Sequence, residues 1–536
     1  MGKRIKDYEW DRLHDGTIPN HQETIKQVKD LLNTTGPGFC LAKFRQVTLH
    51  LGTGLVHSCH HPQTHKIDKE QVGQDANILF NTPKLKEARK QMLNGERPPE
   101  CGFCWRVEDS DTSNAQLLSD RHMKSSEPWA LKDHDTIADY TGDEDLYPSY
   151  LEVDFSNACN LRCTYCGPEF SSKWVEHLKS KGPLKVLEGT EHEQWVQGWQ
   201  DLDTLVYKNR EHNPYVEAFW KWFPDAYKHL MHYRITGGEP LMSKETFRSL
   251  DWLIENPNPN LDFSINSNLS IPDKLWDKFI QKITQVRDAR SVRRITIFTS
   301  VDGWGEQAEY GRTGLDFKLF KKRYEQLLSI GNIRAGIMVT FNIFSLTSFE
   351  QLLEWVLDLK QKHNPNKHIE FIERETGFTV PNNGASLVER SNLHIGDNPD
   401  NTHSYIVGID MPYLRHPTFL DARICTNDLV ENYWIKSMNF IAKHTTTNAW
   451  SQHQGFEEHE YEKFYRSLIH RLYFNKNKPD DNLEQNYEVK EDRAKFYEFV
   501  NTKDERDGTN FLATFPEMEH FYSVCKAAAE EVKNGR

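Results

Sequence analysis

The sequence predicts an α/β fold whose core is a mainly parallel sheet assembled from strand–helix–strand units. Two observations carry that prediction. Between about residues 149 and 375, short apolar runs alternate with stretches whose apolar residues recur every three and four, as parallel strands joined by helical crossovers require. Two of those runs also end in loops rich in chemistry, CNLRCTYC (159–166) and TGGEP (236–240), where α/β folds collect their functional groups.

In order along the chain, residues 1–36 read as a helical lead-in (HQETIKQVKDLLN) that stops at the turn cluster TTGPG. Residues 37–125 carry four cysteines and form a small α+β unit, and the acidic stretch 126–148 reads as a linker. Strands are expected near 150–155, 231–236, 261–266, 294–301, 333–343 and 368–373, with helices such as 244–255, 317–330 and 348–362 between them. The stretch 167–230 is too long for one crossover helix and is expected to insert a helical lid, with Trp195, Trp199, Trp220 and Trp222 as packing residues. The segment 376–416 is rich in Asn, Pro and Gly and reads as irregular. Amphipathic helices such as EKFYRSLIHRLYF and KAAAEEVKN complete a mostly helical region, 376–536, to which no chemistry attaches.

Composition sets limits. A chain of 536 residues exceeds the usual size of one domain, so about two to four are expected. With 37% hydrophobic and 27% charged residues it can bury cores, yet it has no apolar run long enough to span a membrane. The opening MGKRIKDYEW lacks the apolar core of a signal peptide. A net charge of −13 argues against nucleic acid as a principal partner, since phosphates demand clustered Lys and Arg. Reduced cysteines in a large chain fit a reducing cytoplasm.

Three cysteines, Cys159, Cys163 and Cys166, crowd the loop that follows the first of these strands. A disulfide framework suits small secreted chains, and zinc prefers paired cysteines with a fourth ligand, which does not follow here. Three thiolates on a cubane of four irons would leave one iron open to a small molecule.

The CxxxCxxC run with Tyr165 just before its last cysteine, followed by GGEP, resembles the radical S-adenosylmethionine superfamily. The resemblance implies a partial (β/α)6 TIM-like barrel and a 4Fe-4S cluster whose open iron chelates the amino and carboxylate groups of S-adenosylmethionine. It further implies reductive cleavage to methionine and a 5′-deoxyadenosyl radical that takes hydrogen from a substrate. Residue by residue, it places Gly237, Gly238 and Glu239 near the methionyl amino group, Ser300 and Asp302 near the ribose hydroxyls, and Arg312 near the carboxylate. Asn266, Asn268, Thr340 and Asn342 are further candidates for contacting the nucleotide. A ferredoxin or flavodoxin type of electron donor is implied as partner.

Cys40, Gly54 and Cys59, then Cys101 and Cys104, resemble the one-cluster twitch relative of SPASM auxiliary domains, here placed before the barrel instead of after it. The resemblance implies a second 4Fe-4S cluster. CxxC plus two more cysteines, with His57, His60 and His61 at hand, equally fits structural zinc. Cys425 and Cys525 stand singly and read as buried small residues. Three functions remain: radical chemistry on a peptide or protein side chain, which twitch modules commonly accompany; radical modification of a small molecule such as a nucleotide or sugar; or a non-catalytic iron–sulfur or zinc scaffold.

Overall fold

Eleven strands appear in a computed structural model that describes residues 21–109, 118–184, 202, 205–208, 211–364, 406–445, 454–476 and 487–534. They are Gln46–His50 (β1), Leu55–His57 (β2), His65–Lys66 (β3), Tyr150–Asp154 (β4), Arg162–Cys163 (β5), His232–Thr236 (β6), Asn258–Ser267 (β7), Val292–Ser300 (β8), Arg312–Thr313 (β9), Arg334–Met338 (β10) and Val407–Asp410 (β11). Nine of them form one sheet in the order β11-β10-β8-β7-β6-β4-β1-β2-β3. Every neighbouring pair between β11 and β1 is parallel, and β2 runs antiparallel to both β1 and β3. Strands β4, β6, β7, β8, β10 and β11 lie in chain order, and helices stand in every connection between them.

Side-chain alternation gives this sheet two unlike faces. On one face Leu151, Val153, Tyr233, Ile235, Phe263, Ile265, Ile297, Ala335 and Ile337 are at most 1% exposed. The crossover helices cover them with stripes at helical spacing, for example Trp276, Phe279, Ile283 and Val286 on Asp273–Asp288. The helices Lys244–Glu255, Phe317–Ser329 and Phe349–His363 lie within a residue of their expected limits. Asp316 and Ser243 cap two of them through backbone N–H groups of Leu319 and Glu245.

The other face is polar. Register aligns Gln46, Tyr150, His232, Asp262 and Arg294 in one row, and Thr48, Glu152, Arg234, Ser264 and Thr296 in the next. The sheet curls toward this side. Arg234 on β6 reaches Met338 on β10 at 3.6 Å across two intervening strands, about 14 Å of flat sheet.

The segment 37–125 contributes β1 to the same sheet in parallel with β4. The helix His21–Thr35 occupies the expected lead-in. Of the insertion, Ser172–Lys181 and Pro214–Tyr227 are described; Trp220 and Trp222 are buried in an aromatic cluster with Phe155, Phe219 and Phe223, and Trp195 and Trp199 lie outside the described residues. The strand expected at 368–373 also lies outside them, and the sixth parallel strand seen is β11, inside a stretch expected to be irregular. C-terminal residues form helices including Ile435–Lys443, Glu458–Lys476, Tyr487–Asp507 and Glu519–Asn534. Among the described residues no helix is long and apolar enough to cross a membrane.

Candidate functional site

The loop after β4 is pinned at the backbone of each of its three cysteines. Ser172 accepts from the Cys159 amide at 3.1 Å, Trp174 donates its indole N–H to the Cys163 carbonyl at 2.9 Å, and Cys166 N–H closes a turn onto the same carbonyl. Burial pushes the Cys159 thiol up to about 12 and holds Cys163 and Cys166 above their ordinary range, and proximity of the thiols to one another adds to the rise for Cys159 and Cys166. Without a cation between them these thiols stay protonated, and a metal centre would reverse that balance.

Cys163 lies on β5, which pairs antiparallel with β9 so that Cys163 stands opposite Arg312. The Arg312 guanidinium donates to Cys163 Sγ at 3.8 Å and makes a two-pronged pair with Asp302 at 2.8 and 2.9 Å. Asp302 also accepts from the Tyr165 hydroxyl at 2.9 Å and the Thr340 amide at 2.8 Å. Loops after β4, β8 and β10 thus meet on one buried carboxylate. Ser300 ends β8 in register with Met338, on the polar face.

The GGE turn runs beside the cysteine loop: Glu239 N–H donates to the Ala158 carbonyl at 2.7 Å and Gly238 N–H to Ser156 at 3.3 Å. A Cβ at Gly237 would sit 2.3 Å from Asp154, and one at Gly238 would sit 2.6 Å from the Ala158 carbonyl. The close approach that demands glycine is therefore to the protein's own loop. Glu239 is 2% exposed and accepts from Ser267 Oγ (2.8 Å), Leu241 N–H (3.1 Å) and Asn268 N–H (2.7 Å). Burial pushes its carboxyl up to about 7, against those hydrogen bonds. Asn268 also donates to Asn160 in the cysteine loop, Asn266 accepts from Arg234, and Asn342 caps the turn at Phe344.

Cys40, Cys59, Cys101 and Cys104, far apart in sequence, line a single cavity of about 20 Å³ together with Lys43, His61, Asp120, Arg121 and Lys124. Burial pushes Cys101 and Cys104 up to about 12, with Cys40 and Cys59 adding to the rise. Burial opposes the charge of Lys43, but Cys101 and Glu100 outweigh it and leave its ammonium raised. His61 stacks on Phe103 at 3.7 Å and pairs with Asp120, His57 turns its Nδ1 to the Cys59 carbonyl, and His60 lies 4.0 Å from Glu152. Among the described residues no three His, Cys, Asp or Glu side chains stand ready for a single ion. Gly54, in the β1–β2 turn at φ +70°, leaves room for the Tyr215 ring.

No family model matches this chain, and no curated protein does. Among solved structures, the Streptococcus suis SuiB structure bound to the precursor peptide SuiA aligns over 69% of this chain and 72% of its own, at 12% identity and a TM-score of 0.28. A likeness at that level carries no argument about function.

Sequence reading missed the brace behind the cysteine ribbon. Asp507 on the helix Tyr487–Asp507 pairs with Arg162 of β5 and with Lys503 at 2.9 Å, and Lys503 donates to Thr313 of β9 at 3.2 Å. Asp504 accepts from Tyr310 at 3.0 Å. No local pattern marks these residues, which reach β5 from 345 positions away and β9 from 190. Cys425 and Cys525 are fully buried in the C-terminal region and do not line the four-cysteine cavity.

Proposed function

We propose that this protein is a radical S-adenosylmethionine enzyme acting on a peptide or protein side chain. The reading rests on the three thiols of CNLRCTYC, Cys159 buried and Cys163 and Cys166 half-buried, beside the GGE turn over the C-terminal ends of a curled parallel sheet. Cys159, Cys163 and Cys166 would hold three irons of a 4Fe-4S cluster, and the nucleotide's amino and carboxylate groups would complete the fourth. When bound, this pair supplies one-electron cleavage of the sulfonium to a carbon-centred radical able to take hydrogen from substrate.

The chain's own residues prepare for this. Arg312 sets positive charge beside Cys163, favouring the thiolate that ligation needs. Since Asp302 already accepts four hydrogen bonds, we assign Asp302, Arg312 and Tyr165 to positioning the loop. Glu239, 2% exposed and already accepting three hydrogen bonds, is likewise assigned to positioning, and the nucleotide falls to the Gly237–Gly238 backbone and the polar strand ends at Asn266 and Ser300. The curled six-strand sheet in chain order supports a partial barrel, and a ferredoxin or flavodoxin type of donor would deliver electrons.

For the four-cysteine cavity we propose an auxiliary 4Fe-4S cluster on its all-thiol donor set. Its small volume, room for little more than one water-sized occupant, favours zinc as the second reading.

Anaerobic reconstitution with iron and sulfide, then dithionite and S-adenosylmethionine, tests the main reading. Release of 5′-deoxyadenosine is expected, and its loss in the triple variant C159A/C163A/C166A. Iron held at these cysteines without nucleotide cleavage would overturn it.

A further inference from the structure

Four thiols gathered around one enclosed cavity raise the question of what balances their charge once a metal displaces their protons. A divalent ion held by four cysteines is a formal dianion, and an oxidised 4Fe-4S cluster on four thiolates carries the same charge. Charge buried on that scale calls for cations close by. Lys43, Arg121 and Lys124 line the cavity beside the cysteines.

Two of these cations are already answered. Lys43 pairs with Glu100, which also draws Lys84 to 3.7 Å. Arg121 clasps Glu108 through Nε at 3.0 Å and Nη2 at 2.9 Å, and donates to the Phe39 carbonyl at 2.8 Å. Lys124 differs. Its Nζ is buried, and among the described residues no hydrogen-bond partner meets it. Asp120 lies within reach of its charge, yet that carboxylate is already paired with His61 and also feels Arg415. Local sequence puts the ammonium in this place. In the helix Asp120–Ser125, Arg121, Lys124 and Ser125 are three and four positions apart and share one face. Ser125 donates to Cys40 Sγ at 3.9 Å and accepts from the Leu41 N–H at 3.1 Å, which fixes that face against the first cysteine. Burial raises the Cys59 thiol, and the Lys124 charge opposes that rise more than any other group.

We infer that Lys124 is the counter-cation of the metal centre at the four-cysteine site, its ammonium offsetting the charge that four thiolates leave on a bound ion. The inference rests on the metal reading of that cavity and names a residue that supports its ligands. The effect of Lys124 on stability must then change sign with metal. Facing a dianionic centre, the ammonium holds the site together; facing chelated, protonated thiols, it is a buried charge with its hydrogen bonds unmade, which costs stability. A lysine that only packs shows no such reversal.

Zinc alone is the probe, since four thiolates take it whichever metal is resident. Competition with a chromophoric chelator measures its affinity on the full chain carrying C159A/C163A/C166A, which silences the other thiol site. K124M keeps the length of the side chain without its charge and should weaken zinc about ten- to hundredfold. Melting temperatures of the otherwise wild-type chain give the second readout. Chelated K124M should melt at or above its parent, and zinc-loaded K124M below its zinc-loaded parent. Unchanged zinc affinity in K124M, or a chelated K124M that melts below its parent, would overturn the inference. A parent that takes up no zinc would overturn the metal reading of the cavity and this inference with it, whereas zinc held equally by parent and K124M would leave that reading standing.

Discussion

Glu239 shows how one residue can be legible in kind and unreadable in role. Its place after two glycines follows from the motif, but its partners Ser267 and Asn268 come from the end of β7, so sequence spacing says nothing of its burial. Its folded-state carboxyl lies near 7 against an ordinary 4.5, because burial outweighs its hydrogen bonds. A raised acid loses stability as pH climbs: nothing is lost below about 4.5, and the full loss, on the order of 3 kcal/mol, is reached above about 7. E239Q lacks this titration. In metal-free protein its melting temperature should fall below wild type at pH 5, where the amide opposes an N–H donor, and the gap should narrow by pH 8; thermal melts across that range check it, and a constant gap would refute it. At Gly238, a methyl group would press on the Ala158 carbonyl, so G238A should destabilise the protein by about 1–3 kcal/mol in urea titration.

Helices were readable as elements because their apolar residues repeat every three and four, and the expected 244–255 helix matches Lys244–Glu255 residue for residue. The two-residue strands β5 and β9 were not, since no period fits in so short a run. Yet this ribbon sets Cys163 against Arg312, and the helix Tyr487–Asp507 braces it from behind. Asp507 is 6% exposed and holds two cations, Arg162 and Lys503. D507A leaves both charges buried without it and should cost about 3 kcal/mol, with faster amide hydrogen exchange at 162–163 and 312–313. Exchange that rises only in the C-terminal helices would show that the brace does not reach the ribbon.

Across the molecule, the two cysteine sites lie toward opposite ends of paired strands. Cys40 precedes the N-terminal end of β1, whereas Cys159 follows the C-terminal end of β4, its parallel neighbour. Five residues of strand separate those ends by roughly 13 Å, so neither site can borrow a ligand from the other. Metal should therefore load independently. Iron and acid-labile sulfide per chain should fall by about half in C101A/C104A and by about half in C159A/C163A/C166A; iron unchanged in C101A/C104A, with zinc lost, would assign the N-terminal cavity to zinc.

The local code settled the helices, most of the parallel strands and the three-thiol loop, because each depends on residues a few positions apart whose spacing is visible in the chain. Gathering Cys40, Cys59, Cys101 and Cys104 around one cavity, turning an arginine-rich face inward, and lending β1 and β11 to a shared sheet depended on contacts between distant segments. Those contacts follow from how the sheet curls and which strand edges pair, and burial then set the charge state of Glu239 and the thiols, which no residue type announces alone.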